Sequence, residues 1–213
     1  MFDRLQYISQ GSTAEEQISN IQSALDAGCK WIQLRFKNTT EENLRQVAGK
    51  VSIMCRQAGA VFIVNDHVPI ALETGADGVH LGLDDMPVAV ARQLLGPARV
   101  IGGTANTLTD VLQRAEEGCS YIGLGPFRFT VTKEQLSPVL GPEGYRNILQ
   151  QLPAGFDIPV YAIGGITTKD IPLLGDSGIY GIAVSGLITN ATDKHNLIEK
   201  LKSELYATAG HCR

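Results

Sequence analysis

Two carboxylates, Asp66 and Asp85, stand just beyond the apolar runs VFIV and GVHL, and the amide Asn65 sits beside the first. Carboxylate and amide oxygens are hard ligands. A pair of carboxylates completed by water and substrate phosphate suits Mg2+. Three cations accompany them. Arg35 and Lys37 close the run WIQLRFK, and Lys133 lies in the stretch GPFRFTVTKEQLSPVLG. In an extended chain Gln33, Arg35 and Lys37 project to one side, because alternate residues share a face. Cations gathered round a carboxylate-held metal fit a diphosphate better than a lone carboxylate. A second group of residues points to a simpler anion. Gly164–Gly165 and Ser185–Gly186 follow apolar runs and offer backbone N–H groups and helix N-termini, a common way to hold phosphate. Two phosphorylated ligands are therefore expected, one metal-bound diphosphate and one plain phosphate. Thr104, Asn106, Thr107, Asp84, Thr130 and Thr132 complete the polar set.

Each of these residues has an ordinary use as well. Asp66 can cap the helix that follows it, and Asp84–Asp85 can charge a helix N-terminus. Arg35 and Lys37 can be solvated strand ends, and the glycine pair a tight turn. The histidines are weaker candidates. His80, inside an apolar run, reads as a hydrogen-bonded core residue, His67 as a helix start, and His195 and His211 as surface. Trp31 and Tyr121 open strands and read as core. What the ordinary readings do not explain is why the polar residues all follow strands, which requires the elements themselves.

Short apolar runs alternate with amphipathic stretches. The runs 5–9, 31–36, 61–66, 77–82, 99–104, 121–126, 158–166 and 180–188 read as strands. They are nearly continuous in apolar residues, as parallel strands buried on both faces must be. Helices are predicted over 13–28, 39–59, 68–74, 87–95, 108–119, 142–151, 168–178 and 193–207. Helical spacing places Ile18, Ile21 and Leu25 on one face, and Leu44, Val47, Val51 and Met54 on another. Eight strand–helix units imply an α/β fold, a single (β/α)8 TIM barrel over 1–207 with a frayed tail at 208–213. The alternative is a doubly wound open sheet, but no GxGxxG follows the first strand. In such a barrel the C-terminal strand ends form the active site, and the loops after strands seven and eight form a phosphate site. All the polar residues above then share one mouth. The exception to the regular pattern is 125–141, which carries no helical stripe directly after its strand. A long structureless connection in a compact domain is often functional. This one is expected to act as a flap over the mouth.

Bulk properties narrow the class. The chain has 213 residues and a formal net charge of −4, which argues against a broad nucleic-acid footprint. Cys29, Cys55, Cys119 and Cys212 form no CxxC pair, so reduced thiols are expected rather than a zinc site. There is no apolar run of about 18 residues to span a membrane. The opening MFDRLQYIS lacks the pattern of a signal peptide. A cytoplasmic enzyme of small molecules is expected, with no nucleic-acid or membrane partner.

WIQLRFK, VNDHVPIALETGADGVHLGLDDMP, IGGTANT, YIGLGPFRFTVTK, VYAIGGI and GIAVSGLI, in this order, resemble thiamine-phosphate synthase across essentially the whole chain. The resemblance implies a (β/α)8 barrel and a transferase of thiamine biosynthesis. That enzyme joins hydroxymethylpyrimidine diphosphate to a thiazole phosphate, or its carboxylated form, with Mg2+. Pyrophosphate is released, with CO2 from the carboxylated thiazole. Carried over by motif, Gln33, Arg35, Lys37, Asn65, Thr104 and Lys133 would meet the pyrimidine diphosphate. Asp66 and Asp85 would hold the metal. Thr130, Thr132, Gly165, Val184 and Ser185 would meet the thiazole phosphate. Arg35, Lys37 and Lys133 would be the catalytic cations. The implied reaction is dissociative: the pyrimidine's CH2–O bond breaks, the ring delocalises the cation, and the thiazole nitrogen attacks. Three departures stand out. Leu83 replaces a frequent Gln, Thr104-Ala105-Asn106-Thr107 replaces Ser-x-His-Thr, and Arg128–Phe129 replaces Phe-Pro. Two other readings share the phosphate site: a thiazole tautomerase, and a non-catalytic sensor of phosphorylated thiamine precursors. Neither needs the metal carboxylates together with Lys133.

Overall fold

The structure, a computed structural model, describes residues 2–129 and 138–208. Eight parallel strands close into a barrel in sequence order. They are β1 (Leu5–Ile8), β2 (Trp31–Leu34), β3 (Val61–Asn65), β4 (Gly78–Leu81), β5 (Val100–Ala105), β6 (Tyr121–Leu124), β7 (Val160–Ile163) and β8 (Gly181–Val184). The last strand returns to the first, with Leu5 opposite Ile182 and Tyr7 opposite Val184. Closure removes every sheet edge, so no strand is left with unpaired main-chain groups. The helices are α1 (Ala14–Asp26), α2 (Glu41–Ala58), α3 (Val68–Thr74), α4 (Val88–Leu95), α5 (Leu108–Glu116), α6 (Gly141–Gln150), α7 (Ile171–Asp176), α8 (Gly186–Thr189) and α9 (Lys194–Thr208).

The helices form where capping and apolar spacing agree. Thr13 accepts from the Glu16 N–H while Glu16 reaches back, and Thr107 does the same with Asp110. Such a cap contributes about 1 kcal/mol. Gly59 and Gly75 end α2 and α3 in the left-handed conformation. Leu44, Val47 and Val51 of α2 are buried as their spacing predicts. Each such side chain gains roughly 1.5–3 kcal/mol on burial. The core has two parts. A large shell lies between strands and helices, and a small cluster of Trp31, Ile63, Tyr121 and Tyr161 fills the barrel near its N-terminal end.

Several boundaries differ from expectation. The stretch read as a strand over 180–188 stops at Val184, because the Ser185 carbonyl accepts from the Ile188 and Thr189 N–H groups and starts the helical turn α8. The strand expected over 158–166 keeps only Val160–Ile163, since Gly164 and Gly165 take φ of 94° and 67°. The helix expected over 168–178 is a 3-10 turn, Thr168–Asp170, followed by α7, with Pro172 in the first turn. Pro87 precedes α4 as its N-cap instead of belonging to it. The helix α5 ends at Glu116, ahead of Gly118 at φ 80°. The α9 helix ends at Thr208, just inside the expected tail, and 209–213 lie outside the described residues. No described helix is long and apolar enough to cross a membrane.

Candidate active site

The mouth is built from the C-terminal ends of the strands. Gln33 ends up inside it, buried on β2, and donates from Nε2 to Asn65 Oδ1 of β3 at 2.8 Å. Its carbonyl, Oε1, is buried with no partner among the described residues. Arg35 follows β2 with its main chain held at both ends. Its N–H donates to Ser9 Oγ at 2.9 Å, and its carbonyl accepts from Gln17 Nε2 at 3.3 Å. Lys37, half-exposed, donates to Asp66 Oδ2 at 2.7 Å. The expected alternation of Gln33, Arg35 and Lys37 therefore brings the first and third of them to the β3 end.

Asp66 does not cap α3. His67 occupies that position, without a side-chain cap bond. Asp66 itself sits at φ 64°, a left-handed conformation uncommon for a residue with a side chain. Its N–H is tied to the His80 carbonyl of β4 at 2.9 Å, and its carboxylate is free of helix duty. Asp85 lies within hydrogen-bonding reach of it. Burial first, and then the Asp66 carboxyl, raise the Asp85 carboxyl above its usual pKa, against the Gly82 N–H and Lys37. The Gly82 N–H donates to Asp85 Oδ2 at 2.6 Å, so the carboxylate is aimed by its own loop. Asp84 is exposed. Among the described residues no cluster of three or more His, Cys, Asp or Glu is placed to hold a metal ion, at this mouth or elsewhere. The pair Asp66 and Asp85 offers hard oxygen donors.

On the next strand Thr104 is half-buried and Thr107 is a helix cap. Asn106 donates from Nδ2 to the Gly125 carbonyl, which ties the β5 loop to the end of β6. Across the mouth, Ser185 Oγ is buried without a partner among the described residues. Val184 is packed in the core, so only its main chain is available to a ligand. Gly165 is exposed at φ 67°, and a β-carbon there would stand 2.9 Å from Arg128 Cβ. Glycine is required on both counts. Thr130, Thr132 and Lys133 lie in 130–137, the part of the expected flap outside the described residues, while its two described ends are tied together by the Leu140 and Gly141 N–H groups donating to the Pro126 and Phe127 carbonyls at 2.9 and 3.0 Å.

Three features were missed by the sequence reading. Arg128 makes a two-point ion pair with Asp170, both bonds 2.9 Å, and donates to the Gly165 carbonyl at 2.6 Å. Nothing local announces a partner so far along the chain. Arg128, with the Thr167 cap bonds, holds the Asp170 carboxyl down at about 2. The second feature is buried Arg114 of α5, which donates to the Thr104 and Gly82 carbonyls at 3.1 and 2.9 Å and so braces the β4 and β5 ends. Its position one turn beyond Val111, on the buried stripe, was the available signal. The third is the contact of His80 Nε2 with Thr104 Oγ1 at 3.0 Å.

Comparison with known proteins bears on what this mouth does. A family model described as thiamine monophosphate synthase matches residues 5–188. The chain belongs to the thiamine-phosphate synthase family. A thiamine-phosphate synthase of Flavobacterium johnsoniae is 54% identical over 208 residues, covering 97% of this chain and 98% of that one. One from Bacteroides fragilis is 49% identical over 190 residues, covering 89% and 93%. The solved thiamine phosphate pyrophosphorylase of Pyrococcus furiosus superposes with a TM-score of 0.84 at 30% identity, over 97% of this chain and 96% of that chain. Membership of the thiamine-phosphate synthase family makes the chain an enzyme, a transferase of thiamine biosynthesis.

Proposed function

We propose that the mouth couples hydroxymethylpyrimidine diphosphate to a thiazole phosphate, plain or carboxylated, to give thiamine phosphate and pyrophosphate. The observation that carries this reading is the placement of three features on one rim. They are the like-charged pair Asp66–Asp85, the buried acceptor Gln33 Oε1, and the buried hydroxyl Ser185 Oγ on the opposite side. A buried polar atom without a partner costs roughly 1–3 kcal/mol, a cost that a ligand supplying the partner would offset. Gln33 Oε1 suits the amino group of a pyrimidine. Ser185 Oγ, with the main chain of Gly165 and Val184, suits a phosphate oxygen.

The donor set fits Mg2+. Two carboxylates repel each other in a partly buried pocket, and a hard divalent cation relieves that repulsion while leaving positions for diphosphate oxygens. Bound there by Asp66 and Asp85, Mg2+ would neutralise charge on the leaving pyrophosphate. Lys37 already reaches Asp66 and stands beside that charge. Arg35 and Lys133 add to it, by their places in the sequence pattern, and Thr130 and Thr132 join the thiazole side on the same ground. Asn65 orients Gln33, and Thr104 donates to the diphosphate or the pyrimidine ring. No side-chain nucleophile is needed. The protein stabilises the departing anion, holds the two rings in order and keeps water from the pyrimidine cation. The three buried thiols Cys29, Cys55 and Cys119 are unpaired, which supports a reducing, cytoplasmic setting.

The test is pyrophosphate release on mixing the protein with both substrates and Mg2+, each omitted in turn. Release that requires all three, with thiamine phosphate as product, is expected. Thiazole phosphate binding without any release would transfer the reading to a tautomerase or a sensor.

A further inference from the structure

Arg128 has no part in the reading above. It follows β6 and grips the turn that ends β7. Its main-chain N–H donates to the Gly164 carbonyl at 3.0 Å, and its guanidinium donates to the Gly165 carbonyl at 2.6 Å. Both terminal nitrogens of that guanidinium also meet the Asp170 carboxylate, each at 2.9 Å. Asp170 is buried and accepts from the Thr167 N–H and hydroxyl, both at 2.8 Å. The turn is pressed against the stretch that carries Arg128. A β-carbon at Gly164 would fall 2.8 Å from Pro126 Cβ, and one at Gly165 would fall 2.9 Å from Arg128 Cβ. Arg128 therefore joins the β6 end, the Gly164–Gly165 turn and the 3-10 turn Thr168–Asp170 in one network.

We propose that Arg128 is a positioning residue that aims the Gly165 and Ile166 N–H groups at the phosphate of the thiazole ligand. A planar trans peptide carries its C=O and N–H in opposite directions. The Gly164 carbonyl shares a peptide with the Gly165 N–H, and the Gly165 carbonyl shares one with the Ile166 N–H. Arg128 draws both carbonyls to its own side, so both N–H groups face away from it. Neither has a hydrogen-bond partner among the described residues. Two successive N–H groups left open on one edge of a turn suit an anion. Glycines at φ 94° and 67° have little of their own to hold them in one shape, because glycine reaches many backbone conformations. The guanidinium fork supplies that hold. Arg128 acts through the turn and not as a direct phosphate ligand, because Asp170 already matches its charge. That carboxyl is held down at about 2, so the pair persists at neutral pH. The inference rests on the reading above that Gly165 meets the thiazole phosphate.

The experiment titrates the 15N-labelled full chain with inorganic phosphate, and then with thiazole phosphate, and follows the Gly165 and Ile166 amides. In the parent both amide protons should move downfield as the site fills. Arg128→Lys keeps the charge and the main-chain bond but not the two-point fork. It should weaken phosphate binding about tenfold, as loss of one oriented bond would. The Ile166 amide should be disturbed more than the Gly165 amide, whose peptide keeps its main-chain bond. KM for the thiazole phosphate should rise by a similar factor, while KM for the pyrimidine diphosphate stays within about twofold, as for an independent site. Asp170→Asn keeps the side-chain shape but frees the guanidinium of its partner charge. It should weaken phosphate binding about threefold. Tighter binding in that variant would make Arg128 itself the phosphate ligand and overturn the proposal. Binding like the parent's in Arg128→Lys, with only a lower melting temperature, would make the network packing and overturn it too. So would a parent whose two amides respond to neither probe. The amide shifts are read without turnover. Absent pyrophosphate release with those shifts intact therefore counts against the functional reading alone.

Discussion

At the N-terminal end of the barrel, Trp31, Tyr121 and Tyr161 meet edge to face with ring centroids 4.9–5.6 Å apart, and the Tyr161 and Tyr180 hydroxyls donate to the Asp3 and Phe2 carbonyls. At the C-terminal end, Gln33 Oε1 and Ser185 Oγ are buried without partners among the described residues, Asp66 is held in a left-handed conformation, and Asp85 faces a carboxylate. The floor is apolar contact with most of its polar tips satisfied, though Trp31 Nε1 has no partner. The mouth leaves several terms unfavourable at once. Stability accounts for the floor. On the proposed function, a hard cation would relieve the Asp66–Asp85 repulsion and the two substrates would complete the buried atoms. The difference shows where this chain trades stability for function.

Breaking the floor should have the largest effect, and on stability alone. Trp31→Ala should cost about 3–5 kcal/mol by cavity formation, read from the urea midpoint. The KM values of the protein that remains folded should be unchanged. At the mouth the sign reverses. Asp85→Asn should lower kcat/KM about a hundredfold, in line with loss of a metal ligand or charge-stabilising group. It should also raise the melting temperature at neutral pH. The sign follows from linkage. The Asp85 carboxyl is raised in the fold, so its contribution is favourable at low pH and lost as pH rises through the folded value. A neutral amide removes that penalty and still accepts from the Gly82 N–H.

Gln33→Leu sharpens the comparison further. It removes the unpartnered carbonyl and should leave stability within about 1 kcal/mol. Steady-state kinetics should show KM for the pyrimidine diphosphate raised about tenfold, the loss of one hydrogen bond. The smallest effect belongs to Asp170, a satisfied carboxylate near the mouth. Its pKa is depressed to about 2, so its stability contribution is present above the ordinary carboxylate range and fades as pH falls toward 2. Asp170→Asn should therefore melt lower than the parent at pH 7, with the difference closing in acid. A melt series against pH reads both ends.

The sequence made the floor and the strands legible because burial on both faces leaves continuous apolar runs. It made the mouth legible because polar residues that follow such runs must share one end of a parallel barrel. Gln33, Asn65, Asp66, Asp85, Thr104, Gly165 and Ser185 were reached that way, and the fold brings Lys37 onto Asp66 as well. Other features depend on contacts between residues far apart in the chain. The partner of Arg128 is Asp170, and the brace from Arg114 ends on two carbonyls, which carry no residue type to read. The line from Gln6 through Tyr121 and His80 to Thr104 joins four strands, so its contacts cannot be read from any one of them. The early end of β8 escaped notice because GIAVSGLI is apolar throughout. A one-turn helix and a strand look alike in so short a run.

On the proposed function, a metal and a diphosphate complete the mouth. Thermal unfolding of the parent and of Asp85→Asn, each with and without Mg2+ and pyrophosphate together, tests this. Without ligand, Asp85→Asn should melt higher. With ligand near a hundred times its dissociation constant, the parent should gain about 2.7 kcal/mol and overtake the variant, which should gain little. A variant no more stable than the parent without ligand, or an equal gain in both proteins, would contradict the account.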